Sequence, residues 1–201
     1  MTTVLLVHAV SLWRASLACL LSKDESLDVR ATDKGGVRSA VQECPPDVIV
    51  TDLECPHSME VLTFMESLRG AEESGPGLVV LARADRAGDL RRAGDAGAMG
   101  YVDKLGPVDS LGDAVGKVAA GGRHIDESLA FGLLNASEVP LSPRELRVLE
   151  LAAEGESVTS IASALHLASG TVRNYLAAAI RKTGGRNRLD AIRLSRDFGW
   201  L

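Results

Sequence analysis

Three residues that could do chemistry in the first half of the chain stand where predicted strands end. His8, Asp52 and Lys104 each follow a short apolar run. In a parallel sheet the carboxyl ends of the strands meet at one edge, where such sheets bind their ligands. Asp52 and Lys104 could form an ion pair that closes this crevice. Alternatively, His8 in its protonated form could pair with Asp52.

A second group of chemically capable residues lies near the C-terminus. Between Thr171 and Arg196 seven Arg or Lys residues stand against one acid, although the whole chain carries a net charge of -5. A basic stretch in an acidic protein predicts a localised face that binds a polyanion. A solvated helix face is the alternative that this count alone leaves open.

The spacing within residues 170–182 favours the polyanion. If these residues form a helix, one face is apolar and the opposite face carries Arg173, Asn174, Ala177 and Arg181. Arg can contact guanine edges and Asn can contact adenine in a major groove. Backbone N–H groups near Gly170 and Thr171 could bind a phosphate. Four basic residues at or after the helix end could contact the flanking phosphates: Arg181, Lys182, Arg186 and Arg188.

Alternating strands and helices must position the first group. The apolar runs predict five strands, at Thr3–Val7, Leu27–Ala31, Asp47–Thr51, Gly77–Ala82 and Ala98–Val102. Helices are predicted between them, near Ser11–Leu21, Lys34–Glu43, Ser58–Arg69, Arg86–Ala96 and Val108–Ala120. Strands rich in Val, Ile and Leu that alternate with helices predict a doubly wound parallel α/β sheet with five strands.

Four short helices must position the second group. The pattern of the first half ends at residue 120, and residues 121–139 are predicted to be a linker with one helical piece, Glu127–Leu134. Ser142, Pro143 and Glu145 form a capping box that opens a helix ending at Gly155. Further helices are predicted at about Ser157–Leu165, Gly170–Lys182 and Leu189–Phe198. We therefore predict domains at 1–120 and 140–201, the second with a helix-turn-helix layout.

Several classes of protein are disfavoured by composition. Cys19, Cys44 and Cys55 are widely spaced without a CxxC motif, which predicts neither disulfides nor a zinc site. Without a long apolar run or a signal sequence, we expect a cytoplasmic protein. We find no nucleophile and base pair and no metal cluster, so we expect no enzyme, metal or cofactor. Three further histidines are interpreted as surface or packing residues: His57, His124 and His166.

The segment SPRELRVLELAAEGESVTSIASALHLASGTVRNYLAAAIRKTGGRNRLDAI resembles the LuxR-type helix-turn-helix domain over about 50 residues. The resemblance implies base contacts from Arg173, Asn174 and the position of Ala177. It implies DNA-backbone contacts around Thr171, Arg181, Lys182 and Arg188. The last helix commonly supplies a dimer contact in this family, which here implies Ala191, Leu194, Ser195 and Phe198.

The first half resembles the receiver domain of NarL/FixJ-type response regulators, a flavodoxin-like fold, over about 120 residues. PPDVIVTDLECP and AGAMGYVDK carry the resemblance, with Asp52 in the phosphoacceptor position, Lys104 in the Lys position and Tyr101 in the position of the switch aromatic. His8 and Ala9, however, replace the acids that hold Mg²⁺. Ala82 likewise replaces the hydroxyl residue that senses the phosphoryl group.

These departures resemble the atypical, or orphan, receivers of developmental regulators in filamentous actinomycetes. They imply a transcriptional regulator that binds double-stranded DNA as a homodimer without phosphorylation. Control would then come from dimerisation, or from a small molecule or partner protein at the receiver. Two alternatives stay open: a conventional regulator phosphorylated on Asp52, and a receiver that acts only as a ligand-sensing or protein-interaction module.

Overall fold

The computed structural model describes residues 1–69, 75–135 and 139–201, and it divides into two compact units. The first, which we call the sheet unit, comprises Met1–Ala84 and Leu90–Leu134. The second, the helical unit, comprises Asp85–Asp89 and Asn135–Leu201. Among the described residues, no helix is long and apolar enough to cross a membrane.

The sheet unit is a parallel sheet with connecting helices, as the sequence predicts. Its strands are β1 (Thr2–Val7), β2 (Leu27–Thr32), β3 (Val48–Asp52), β4 (Gly77–Ala82), β5 (Gly100–Asp103) and β6 (His124–Ile125). Its helices are α1 (Ser11–Leu21), α2 (Val37–Glu43), α3 (Ser58–Arg69) and α5 (Ser110–Ala119), together with α4 (Ala87–Asp95) from Leu90 onwards and α6 (Glu127–Asn135) as far as Leu134. The strand order is β2-β1-β3-β4-β5-β6, and every neighbouring pair is parallel. The crossover at β1 and β3 creates the switch point at which doubly wound sheets form their crevice.

The sheet has one strand more than the five predicted. His124 and Ile125 lie in the segment predicted as linker, yet they pair with Gly100 and Tyr101 on the edge of β5. Two residues are too few for any hydrophobic period, so the sequence carries no signal for this strand. The segment from 121 onwards contributes β6 and most of α6 to the sheet unit, which extends to Leu134. Residues 136–138 of the predicted linker lie outside the described residues.

The apolar strands form the core because both faces of the sheet are covered. Val4 and Leu6 of β1 pack with α1 and α5, while Leu5 and Val7 point to the opposite face, and all four are buried. Alternate side chains of a strand project to opposite faces, so burial of both sets requires helices on both sides. The rigid edge formed by the ends of β1, β3 and β5 is what positions His8, Asp52 and Lys104.

The helical unit contains α7 (Pro143–Ala153), α8 (Val158–Ala164), α9 (Ser169–Thr183) and α10 (Arg188–Asp197). These helices match the four predicted, with ends shifted by one or two residues. The predicted capping box is present: Ser142 Oγ accepts from the Glu145 backbone N–H, and Glu145 accepts from the Ser142 N–H. Helix α9 ends at Gly184, whose φ of 71° is the left-handed conformation that favours glycine. Val148, Leu149 and Ile161 are fully buried in the core of this unit.

Candidate functional site

Asp52 ends β3 and is almost completely buried in the receiver crevice. Its Oδ1 accepts a hydrogen bond of 2.9 Å from the backbone N–H of Glu54. Lys104, which follows β5, places its Nζ 3.1 Å from Asp52 Oδ1 and 2.9 Å from Oδ2. The structure therefore brings the predicted pair together, and both carboxylate oxygens already have a cationic partner.

Lys104 also binds a second carboxylate in the crevice. Its Nζ lies 2.7 Å from Glu54 Oε2, so one ammonium group bridges two acids. Partial burial acts to lower the pKa of Lys104, but hydrogen bonds and charges from Glu54 and Asp52 outweigh it and hold the pKa above its ordinary value. Lys104 is therefore charged at neutral pH. The signal in the sequence for this role of Glu54 is its position two residues after Asp52.

His8 lies beside Asp52 without forming a direct hydrogen bond to it. The His8 Nε2 is 3.6 Å from Asp52 Oδ2, which is longer than a hydrogen bond, and the imidazole is buried. The backbone N–H of Val10 donates to His8 Nδ1 at 3.0 Å. The Val10 carbonyl lies 3.3 Å from the same ring nitrogen. His8 is therefore a second polar neighbour of the Asp52–Lys104 pair.

The residues of the crevice do not fit a magnesium ion. Mg²⁺ requires near-octahedral oxygen ligands, and in typical receivers two acids supply them where this chain has His8 and Ala9. The backbone N–H of Ala9 donates to Cys55 Sγ at 3.1 Å, and the carboxylate of Glu54 is bound by Lys104. Within residues 1–69, 75–135 and 139–201, no three His, Cys, Asp or Glu side chains are grouped as metal ligands.

Ala82 and Tyr101 complete the crevice positions named from the sequence. Ala82 ends β4 and is buried, and its carbonyl accepts from the Lys104 backbone N–H at 3.0 Å. Its methyl side chain offers no hydroxyl for a phosphoryl group. The Tyr101 side chain is also buried, and burial raises the pKa of its phenol.

The other three histidines fall into local contacts and turns. His57 Nδ1 lies 3.0 Å from Glu60 Oε1, and His124 Nε2 lies 2.9 Å from Asp126 Oδ1. His166 stands in a turn with a φ of 54°. The pKa of Asp126 would be raised by burial, but hydrogen bonds from Ser110, the Asp103 N–H and His124 lower it overall.

In the helical unit, α9 presents the predicted polar face to solvent. Arg173, Asn174, Ala177 and Arg181 are all exposed, while Val172, Leu176 and Ala179 are buried in the core. Ala168, the residue that precedes α9, makes no side-chain cap hydrogen bond, and the first turn carries no acid. The free N–H groups and the positive end of the helix dipole therefore suit an anion.

Two of the predicted phosphate-binding residues make contacts within the helical unit. Lys182 Nζ lies 2.8 Å from Glu145 Oε2 and so joins α9 to the capping box of α7. Burial would raise the pKa of Glu145, but hydrogen bonds from Lys182 and Ser142 hold it below its ordinary value. Arg188 Nη2 donates to the carbonyls of Ala152 at 2.6 Å and Glu156 at 2.9 Å. Ala152 lies in the last turn of α7 and Glu156 in the turn that follows it, so Arg188 joins the start of α10 to the end of α7, a contact that the sequence pattern does not reveal.

Arg186 remains in solvent, although its guanidinium contacts a nearby acid. The Arg186 side chain is 86% exposed, and its Nε lies 3.1 Å from Asp190 Oδ2. Asp190 also accepts from the Arg186 backbone N–H and from Arg193, and these hydrogen bonds lower its pKa to about 2. Asp190 therefore ties down the start of α10 and offsets part of the local positive charge.

The predicted dimer residues do not share one exposed face. Ala191 and Ser195 are fully buried, and Ala191 belongs to the core of the helical unit. The assignment of these two residues to a partner surface is therefore wrong, because their side chains point inwards. Leu194 is partly buried and Phe198 is 43% exposed, so these two keep some surface.

Comparison with known proteins supports both halves of this description. Residues 139–195 match the family described as bacterial regulatory proteins, luxR family. Over its whole length the chain is 44% identical to the response regulator RamR of Streptomyces coelicolor, covering 98% of that protein. It is also 31% identical to the transcriptional regulatory protein DesR of Bacillus subtilis, and the match covers all of both chains.

Solved structures share the fold across the whole chain. The response regulator ChrA of a heme-sensing two-component system is 30% identical, with a TM-score of 0.58 over 97% of this chain and 96% of ChrA. A complex of the two-component response regulator RcsB with DNA gives a TM-score of 0.65 at 22% identity, over 98% of each chain.

Proposed function

The chain belongs to the NarL/FixJ family of DNA-binding response regulators, and on that premise we propose that it binds promoter DNA as a homodimer without phosphorylation of Asp52. We place the DNA-binding domain at 140–201 and its main contact surface on α9. Since its partner is DNA, we place the protein in the cytoplasm. Its homologues are transcriptional regulators, and we assign it no catalytic role.

The exposed face of α9 carries the proposal of DNA binding. Arg173 and Asn174 project into solvent near the N-terminal end of the helix, and Ala177 between them and Arg181 leaves room for a base edge. The uncapped N–H groups at Gly170 and Thr171 suit one phosphate, and Arg181 at the last turn suits another. Phosphate contacts at both ends of α9 would hold Arg173 and Asn174 against the bases.

Duplexes selected from random-sequence DNA by the wild-type protein would test this assignment. Arg173→Ala and Asn174→Ala should each weaken binding by about 5- to 150-fold, since a bidentate base contact contributes roughly 1–3 kcal/mol. The matched control is Arg147→Ala, because Arg147 is exposed on α7 and pairs with Glu150. Equal affinity of all four proteins for the selected duplex would contradict the role of α9.

The arrangement around Asp52 supports control without phosphorylation. Lys104 contacts both oxygens of Asp52 and also holds Glu54. Phosphoryl transfer to a carboxylate needs a metal ion to neutralise the phosphoryl oxygens, and this chain has His8 and Ala9 at the positions of the acids that would hold it. With Ala82 in place of a hydroxyl residue, an attached phosphoryl group would also lose the side chain that senses it.

The test compares DNA occupancy of the wild type with that of Asp52→Asn, which keeps the shape of the side chain. We expect the same sites and the same affinities. Incubation with acetyl phosphate and Mg²⁺, followed by mass spectrometry of the intact protein, checks the chemistry. A stoichiometric phosphoryl adduct at Asp52 that changes DNA affinity would establish the conventional mechanism instead.

A homodimer is proposed because two modest half-site affinities combine through effective concentration. Because Ala191 and Ser195 are buried, the surface of α10 that could contact a partner subunit consists of Leu194, Phe198 and the exposed side chains around them. Sedimentation equilibrium with and without a two-half-site duplex tests this. A monomer that binds one half-site at full affinity would refute it.

A further inference from the structure

A cavity of about 510 Å³ opens beside Asp52, and its lining lies entirely within the sheet unit. Sites for small organic molecules typically measure about 300–1,000 Å³. The cavity extends from the crevice between α1 on one side and the start of α5 on the other. Its volume therefore suits a small organic molecule rather than a single ion.

The walls of the cavity are largely apolar and only partly covered. Trp13 and Leu17 of α1 line one side, and Val108 and Leu111 line the other. Leu111 is buried, but Trp13 is 61% exposed and Val108 is 62% exposed. A ligand that covered the indole and the valine would remove apolar surface from water, which is the main source of affinity in such sites.

The closed end of the cavity is polar and carries more negative than positive charge. Asp52, Asp103 and Lys104 line it together with His8, and Glu54 lies on the far side of Lys104. Among the lining residues, two carboxylates stand against one ammonium group: Lys104 pairs with Asp52, whereas Asp103 accepts from the Leu105 N–H and from Ser128 Oγ. A negatively charged head group would be repelled here, whereas an N–H or O–H donor would find carboxylate oxygens to bind.

We propose that this cavity is a regulatory site for a small apolar molecule whose head group donates a hydrogen bond and carries no negative charge. The inference rests on the proposed function, because it gives the receiver an input other than phosphorylation. The apolar body lies between Trp13 and Val108, and the donor binds at Asp52. The ligand would thereby contact the residue that a phosphoryl group modifies in other receivers.

A pair of fluorescent probes with the same rings tests the proposal on the full-length protein. N-phenyl-1-naphthylamine is apolar and has one N–H donor, while 1-anilinonaphthalene-8-sulfonate adds a negative charge to the same rings. We expect saturable one-to-one binding of the amine and much weaker binding of the sulfonate. Trp13→Ala should weaken the amine by about tenfold, because it removes the largest apolar wall.

The matched control is Phe131→Ala, which deletes an aromatic ring that is 73% exposed on α6 of the same unit. It should leave probe binding unchanged. Equal binding of both probes, or equal effects of Trp13→Ala and Phe131→Ala, would overturn the proposal. The proposal would also be overturned if the wild type bound no probe and Trp13→Ala converted the dimer to a monomer. That result would show that a second copy of the chain covers this face. DNA binding by Asp52→Asn is measured separately, so failure here leaves the test of the proposed function intact.

Discussion

Replacing Arg188 by Met tests whether this arginine stabilises the helical unit or binds DNA. The LuxR resemblance assigns Arg188 to the DNA backbone, but its guanidinium donates to the carbonyls of Ala152, in the last turn of α7, and Glu156, in the turn after it. Methionine retains an unbranched apolar stem and removes the donors. We therefore expect Arg188→Met to reduce the stability of the helical unit more than its affinity for DNA.

The magnitude follows from two charged hydrogen bonds at a half-buried residue. A hydrogen bond to a charged group contributes about 1.5–3 kcal/mol when well shielded. Arg188 is partly exposed, and after its removal water can reach at least one of the two carbonyls. We therefore expect a loss of about 2 kcal/mol in the free energy of unfolding. With a urea dependence near 1 kcal/mol per molar, the midpoint falls by about 2 M.

Urea denaturation followed by the fluorescence of Trp200 measures this change. The Trp200 backbone donates to the Ser195 carbonyl, so Trp200 reports on the helical unit, and Trp13→Phe removes the other indole. Arg144→Met is the matched control, because Arg144 is an exposed arginine on α7. Its midpoint should stay unchanged.

The opposite pattern would refute this reasoning. If Arg188→Met kept the urea midpoint but lost affinity for the selected duplex, Arg188 would be a phosphate contact. The slope of log affinity against log salt would then fall by about one, as expected for one lost phosphate.

Three further predictions concern the stability of the helical unit. Leu149→Ala, at a fully buried position, should lower the free energy of unfolding by about 2–5 kcal/mol in the same urea assay. Ser142→Ala should cost about 0.5–2 kcal/mol, because it removes the cap of α7. The pKa of Asp190 is lowered to about 2, so its contribution is complete above its ordinary pKa and is lost as the pH falls from about 4 to about 2. Asp190→Asn should flatten this part of the stability curve.

Each of these predictions has a control in the chain. Leu189→Ala matches Leu149→Ala because Leu189 is 75% exposed, and an equal loss in both would contradict the core assignment. Ser163→Ala, at an exposed position on α8, matches Ser142→Ala and should be neutral. Asp197→Asn matches Asp190→Asn, because Asp197 is an exposed acid on the same helix. A wild-type stability that did not change between pH 4 and pH 2 would argue against the Asp190 contacts.

The parts of the fold with a strong local signal could be predicted from the sequence. The apolar runs of β1 and β3 are short, continuous and rich in Val, Ile and Leu, so their length and composition predicted strands that are buried on both faces. The capping box at Ser142 and Glu145 likewise marks a helix start by chemistry within four residues. The strand His124–Ile125 had no such signal, because its existence depends on the free edge of β5.

In the candidate site too, the sequence determined the residue types, whereas the contacts between them depended on the tertiary structure. The missing acids at His8 and Ala9, the missing hydroxyl at Ala82 and the exposed face of α9 are matters of residue type and period, and the sequence determined them. Only the tertiary structure decided the partners. It placed Lys104 between Asp52 and Glu54, turned Arg188 towards the end of α7, and buried Ala191 and Ser195. Such contacts join residues far apart in the chain, and their geometry depends on how whole elements pack.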